Sequence, residues 1–225
     1  NAVSTPAPSG GNQGGNTMSK VIGIGEAKDK MSTEIVCWFC QKQLSPRALV
    51  CNHCGAIQPV RDLDHFARLG MERRVDLDQT TLDRHYAGMQ KTLDPDRFAI
   101  RTATERTHAA RQLAALTEAY EALRDPVRRG RYWLTLHHQD FESSQDVIPL
   151  VQEMRIAYEQ ADSTQDIDRL AHRAGRAFED GIMRLMQSLR QQNWQSANAT
   201  LLELDGMETI LIDVRGKRKT LTDQG

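Results

Sequence analysis

The residues of this chain best suited to chemistry are four cysteines in two Cys-x-x-Cys pairs. Cys37-Trp38-Phe39-Cys40 is followed, ten residues later, by Cys51-Asn52-His53-Cys54-Gly55, and the chain has 4 cysteines in all. Each pair can fold as a tight knuckle that aims two thiolates at one ion. Gly55 suits the turn that closes the second knuckle. Together the knuckles supply four soft ligands in a closed tetrahedral shell, the donor set of a structural Zn2+ ion. A closed shell leaves no position for a substrate, so the metal is expected to hold structure rather than catalyse. Mononuclear iron and disulfides, for which four cysteines allow three connectivities, are the alternatives. His53 is expected to be exposed rather than a ligand. Trp38 and Phe39 are expected to cover the metal or dock it on a neighbour. Only Lys42 and Arg47 are basic nearby, too few for a phosphate footprint, so no nucleic-acid partner is expected.

The second feature is a turn, Leu93-Asp94-Pro95-Asp96-Arg97-Phe98. Pro95 cannot continue a preceding helix and restrains the residue before it from helical angles. Asp94 can cap the next helix, with Pro95 at its first position. On one side an apolar stripe of Leu82, Tyr86, Met89 and Leu93 predicts a helix over 78–93. On the other, Leu113, Leu116, Tyr120 and Leu123 predict one over 102–124. The two form an antiparallel hairpin with the Pro-Asp turn at its tip. A short helix over 62–70, closed by Gly70, is expected to pack on the pair through Phe66 and Leu69. Arg73 and Arg74 come next, in a solvated loop.

Past Asp125-Pro126, the stretch from Arg128 to His138 predicts another helix. Its Tyr132, Trp133 and Leu136 can bridge to the C-terminal third of the chain, and His137 and His138 complement the helix dipole at its end. Three further stripes complete the chain. They are Leu150, Met154, Ala157 and Ala161; then Ala171, Ala174, Phe178, Ile182, Leu185 and Leu189; then Ala197, Leu201, Leu204, Met207, Leu211 and Val214. Their short connections, 162–164 and 191–193, predict an antiparallel three-helix bundle in which methionine and aromatic positions are core. The fold class is therefore all-α: a helical hairpin and a C-terminal three-helix bundle, preceded by a small zinc-ribbon-like module.

The expected organisation is a Gly-, Asn- and Ser-rich arm over 1–33, the cysteine module over 34–60, the hairpin region over 61–140, the bundle over 141–215 and a polar tail over 216–225. The arm has too little apolar surface to order by itself and is flexible or ordered by a partner. Arg215-Gly216-Lys217-Arg218-Lys219 is expected to be solvated. The net charge of −1 argues against a strongly basic surface for nucleic acid or anionic lipid. No apolar run reaches the roughly 18 residues of a membrane span. The chain starts at Asn1, which fits a processed or partial product; the absence of a visible leader is compatible with an organellar protein.

This order of parts resembles the HscB (Jac1) co-chaperones of iron–sulfur cluster assembly, DnaJ-like proteins with a J-domain, in the form that carries an N-terminal zinc module. The resemblance covers about residues 37–215. Tyr86-Ala87-Gly88-Met89-Gln90-Lys91-Thr92-Leu93-Asp94-Pro95-Asp96-Arg97-Phe98 is similar to the family's aromatic-x-x-Leu-Gln-x-x-x-His-Pro-Asp-Lys-Phe. Ala119 to Pro126 is similar to its third helix and Leu-x-x-Pro exit, and Tyr132-Trp133-Leu134-Thr135-Leu136-His137 to its Tyr-Leu-Leu-x-Leu-His. The resemblance implies a J-domain that stimulates a DnaK-type ATPase, a bundle that holds the iron–sulfur scaffold protein, and a mitochondrial location.

Departures from that pattern bear on function. The family's tip His is Asp94 here, so the tip reads Asp94-Pro95-Asp96. A ring donor has become a carboxylate acceptor, which would leave a partner site unpaired. The basic face expected on the second helix is reduced to Arg84 and Lys91, with Arg97 at the tip, against Asp78 and Asp83. On the face implied for a client or partner, Glu153 and Met154 remain, Ile156 replaces a Glu, and the family's Phe falls near Gly206, beside Met207. Two functional surfaces drift while the core pattern persists. The expected function is thus a degenerate J-protein kept as a non-catalytic accessory subunit of a larger protein complex. The alternative is a working co-chaperone whose ATPase partner has adapted to Asp94. An enzyme has little support: there is no Gly-rich phosphate loop or nucleophile–base pair, and Asp94 and Asp96 sit on a solvent-facing turn.

Overall fold

A computed structural model of the chain describes residues 35–139 and 148–223. The arm expected over 1–33 lies outside the described residues.

The cysteine module is two knuckles of similar build. Strands β1 (Ile35–Val36) and β2 (Gln43–Leu44) pair antiparallel, with Ile35 opposite Leu44, and flank the first. The Cys37 carbonyl accepts from the Gln41 N–H at 3.0 Å, and the Cys51 carbonyl from the Gly55 N–H at 2.9 Å. Each turn needs a left-handed residue after its second cysteine. The second knuckle uses Gly55 at φ 75°, as expected from sequence; the first uses Gln41 at φ 61°.

Next come α1 (His65–Arg68), α2 (Gln79–Thr92), α3 (Pro95–Phe98), α4 (Ala103–Arg124) and α5 (Pro126–Leu136). α1 is shorter than its predicted span because Asp64, not Asp62, caps it, accepting from the Ala67 N–H. Thr102 and Glu105 close a reciprocal capping box at the start of α4. The hairpin is antiparallel: Tyr86 stacks on Tyr120 at 4.0 Å, and the Tyr120 hydroxyl donates to Asp83 at 2.9 Å. Between the helices lie Phe66, Leu69, Leu82, Leu93, Leu116, Ala119 and Leu123, all buried. The predicted stripes of α2 and α4 thus face one core, at whose edge Tyr86, Met89, Leu113 and Tyr120 are partly buried.

α5 begins two residues earlier than predicted, because Asp125 accepts from the Val127 and Arg128 N–H groups and Pro126 needs no donor. Tyr132 stacks on His65 at 4.1 Å and its hydroxyl accepts the His65 N–H at 2.9 Å. Trp133 packs against both the hairpin core and the core shared by α5 with the bundle.

The bundle is α6 (Pro149–Gln160), α7 (Thr164–Arg190) and α8 (Trp194–Asp223). α7 runs back along α6, and α8 returns beside α7: Glu153 pairs with Arg173, Glu203 with Arg184, and Asp213 with Arg155. The buried α8 stripe is Ala197, Leu201, Leu204, Met207, Ile210 and Val214; Ile210 takes the place expected for Leu211, which is half-buried. The expected polar tail is a correction. Its residues through Asp223 continue α8, because Lys217 donates to the Tyr158 carbonyl at 2.9 Å, Arg218 pairs with Asp168 at 2.8 Å and Leu221 packs on the bundle core.

Candidate functional site

The four cysteine sulfurs converge. All lie within 4.8 Å of one another, with Cys37 and Cys54 at 3.7 Å and Cys40 and Cys51 at 3.7 Å. These are free thiols, far beyond the roughly 2.05 Å of a disulfide. A tetrahedron with sulfur at about 2.3 Å from its centre has an edge of about 3.8 Å, so the observed spacing fits one ion bound by all four. The Phe39 N–H donates to Cys37 Sγ and the His53 N–H to Cys51 Sγ, each at 3.4 Å. Fully buried Gln58 donates its Nε2 to Cys37 Sγ at 3.3 Å.

Burial pushes the Cys37 thiol up, but the Cys40 and Phe39 N–H groups, Gln58 and Cys54 outweigh it and lower it to about 6. Cys51 is likewise lowered, burial being overcome by the Cys54 and His53 N–H groups. At Cys54 the Ala56 N–H favours the thiolate, yet burial and the sulfurs of Cys40, Cys51 and Cys37 push it up to about 12. Four sulfurs this close cannot all carry charge unaided, and a soft cation removes that conflict.

The module is docked on α4. The Trp38 indole donates to the Ile57 carbonyl at 2.7 Å, and its ring meets His108 edge-on at 5.5 Å. Phe39 is 66% exposed and meets the Trp38 ring edge-on at 5.6 Å; His53 is exposed, as expected.

At the hairpin tip, Asp94 caps the four-residue α3: its Oδ1 accepts the Asp96 N–H at 3.1 Å. Pro95 and Asp96 are exposed, and Phe98 is buried beneath them. Arg84 and Lys91, seven residues apart, share one face of α2. Arg97 reaches back to the Lys91 carbonyl at 3.3 Å. The three basic residues expected together are therefore on one side of the hairpin, all exposed.

The face expected on the bundle is only partly there. Glu153 is exposed and paired with Arg173, and Ile156 is 44% exposed. Met154 and Met207 are 1% and 0% exposed; they sit in the bundle core and present nothing to a partner. Gly206 lies against Val151, which lets α6 close directly on α8.

No family model matches the chain. The iron-sulfur cluster co-chaperone protein HscB homolog of Arabidopsis thaliana is 26% identical over 167 residues, covering 72% of this chain and 66% of that protein's length. The crystal structure of human co-chaperone protein HscB superposes with a TM-score of 0.75 at 21% identity, covering 82% of this chain and 98% of that one. The chain has an HscB-like fold. Chaperone HscB from Vibrio cholerae aligns with a TM-score of 0.64 at 25% identity, over 71% of this chain and 99% of that one. In this HscB-like frame, Asp94-Pro95-Asp96 sits at the end of the α2–α4 hairpin. No described helix is long and apolar enough to cross a membrane.

Sequence reasoning missed Gln58 and Gln112, the buried amides behind the metal centre. Gln112 falls in the buried register of α4 between Ala109 and Leu116, where a polar side chain interrupts the apolar stripe instead of marking it. Only its position four residues after Cys54 set Gln58 apart.

Proposed function

We propose that this HscB-like chain is a non-catalytic accessory subunit of a larger, mitochondrial assembly, with a structural zinc ion held by Cys37, Cys40, Cys51 and Cys54. Bound there, zinc neutralises the clustered thiolates and fixes the two knuckles to each other. The chain's own residues do the rest: the hairpin and the bundle present rigid faces to neighbouring subunits.

Asp94 carries this reading. Its carboxylate is engaged as the cap of α3, where the resemblance places a ring that meets the ATPase. An acceptor there leaves a donor-seeking partner unsatisfied, which costs on the order of 1–3 kcal/mol in a buried contact. The closed α6–α8 contact at Gly206 and the burial of Met154 and Met207 support the same reading for the client face. The test is steady-state ATP hydrolysis by a DnaK-type chaperone from the same organism, with purified full-length chain added. No acceleration is expected, and the chain should co-purify with a large complex. Clear acceleration that is lost on Asp96→Ala would overturn the proposal.

A second reading, a working co-chaperone, is favoured by one observation. Pro95 and Asp96 keep their tip positions, and Arg84, Lys91 and Arg97 stay exposed beside them. In that case a DnaK-type chaperone and the iron–sulfur scaffold protein would be retained by the tagged chain, and Asp96→Ala would abolish the acceleration.

A further inference from the structure

Between the cysteine module and the hairpin tip lies a joint built from two buried amide side chains. Gln58, 0% exposed, donates its Nε2 both to Cys37 Sγ at 3.3 Å and to the Ala56 carbonyl at 2.9 Å. Gln112, 4% exposed and projecting from α4, donates its Nε2 to the backbone carbonyls of Gln58 and Pro59, each at 3.1 Å. Neither side chain is needed to form a knuckle or a helix. Their shared effect is to tie one cysteine ligand, through the 56–59 backbone, to the helix on the far side of the tip.

The same segment walls the tip. Ile57 and Val50 pack with Phe98, the last residue of α3, and with Ala109 of α4. The Arg101 side chain, just after α3, lies beside Gly55 of the second knuckle. α3 itself has four residues, far too few to hold a helical turn without tertiary support. Its position depends on Phe98, and Phe98 is enclosed from one side by the cysteine module. That module has only short pairings of its own, so its shape depends on what holds the four sulfurs together.

We propose that the metal-loaded cysteine module is the strut that fixes the hairpin tip, with Gln58 and Gln112 as the positioning residues that carry the constraint. This rests on the proposal that the four cysteines bind a metal ion. Loss of the ion lets the knuckles part, the 56–59 segment loosens, and Phe98 loses its wall. The tip surface of Asp94, Asp96 and Arg97 then stops being a fixed shape for any partner.

The test uses the full chain loaded with zinc, or with cobalt(II), whose visible absorption reports thiolate coordination directly. Amide hydrogen exchange is measured at Arg97 and Arg101, whose N–H groups bond to the Asp94 and Phe98 carbonyls, with the α8 interior as internal reference. Chelation should speed exchange at the tip by about tenfold or more, and by clearly more than it speeds α8. Gln112→Met should keep the cobalt spectrum yet give the metal-loaded protein the fast tip exchange of the metal-free one. Gln58→Leu should weaken metal binding by roughly ten- to a hundredfold. If the Gln112 variant does not fold, chelation of the unaltered chain still decides. Unchanged tip exchange after complete metal removal overturns the strut, as does equal loosening of α8. A chain that binds neither metal overturns the metal reading itself, and the strut with it.

Discussion

Val151 occupies the space that a side chain at position 206 would need: a Cβ placed on Gly206 would come within 2.6 Å of Val151 Cγ2 and 2.7 Å of Cγ1. α6 and α8 therefore touch almost backbone to backbone at this point.

Two effects oppose each other at Gly206→Ala. Alanine gains about 0.5–1 kcal/mol over glycine in a helix interior. The clash is with a stiff, β-branched side chain that cannot swing away, and overpacking of this kind costs typically about 1–3 kcal/mol. The clash should win modestly for alanine and decisively for Gly206→Phe. Urea unfolding should give a lower midpoint for both, with phenylalanine the lower; a raised midpoint for phenylalanine would mean that α6 can move aside.

Stability should fall in mild acid because of His65. Its ring stacks on Tyr132, and its buried Nδ1 has no hydrogen-bond partner among the described residues. Burial holds its pKa below the ordinary 6.5, with Glu118 opposing weakly. The unfolded chain therefore takes up the proton first, so stability is fully present above about pH 6.5 and declines as pH falls from there to the folded value. Unfolding free energies measured across pH 5 to 8 should show this decline, and it should flatten in His65→Leu.

Asp64 works at lower pH and in the carboxylate sense. It caps α1 at Ala67 and receives Arg73 through Nε at 3.1 Å and Nη2 at 2.6 Å. Burial pushes its carboxyl up, but the Ala67 N–H and Arg73 outweigh this and hold it below the usual range. The stabilisation is present above the unfolded carboxylate value, about 3.9, and is lost as pH falls through the lower folded one. Asp64→Ala should cost on the order of 1–2 kcal/mol at neutral pH from the lost cap. The penalty should shrink toward pH 2, as thermal melts at both pH values would reveal.

Metal content should be one zinc per chain. Chelation should open all four thiols to a thiol reagent that reacts slowly with the loaded protein, and should lower the melting temperature. Cys51→Ser should fall well below one zinc per chain. Four thiols equally reactive with and without chelator would count against a shared ion.

The helices were legible because their cores are periodic: the stripe of Leu82, Tyr86, Met89 and Leu93, and the Pro95 break just beyond it, place the hairpin within a residue or two. The cysteine cluster was legible from spacing alone. What escaped was set by tertiary geometry. The partner face was expected to include Met154 and Met207, yet both turn inward because the absence of a side chain at Gly206 brings α6 onto α8. The expected tail became helix because Lys217 finds the Tyr158 carbonyl and ring across the bundle. Neither pairing leaves a local mark in the chain.

Trp133 belongs to two apolar clusters at once. The hairpin and the bundle therefore share one load path through α5 and do not meet at a pivot. A neighbour that grips the tip should also displace α8, a rod of 30 residues and about 45 Å, and the two halves should melt together.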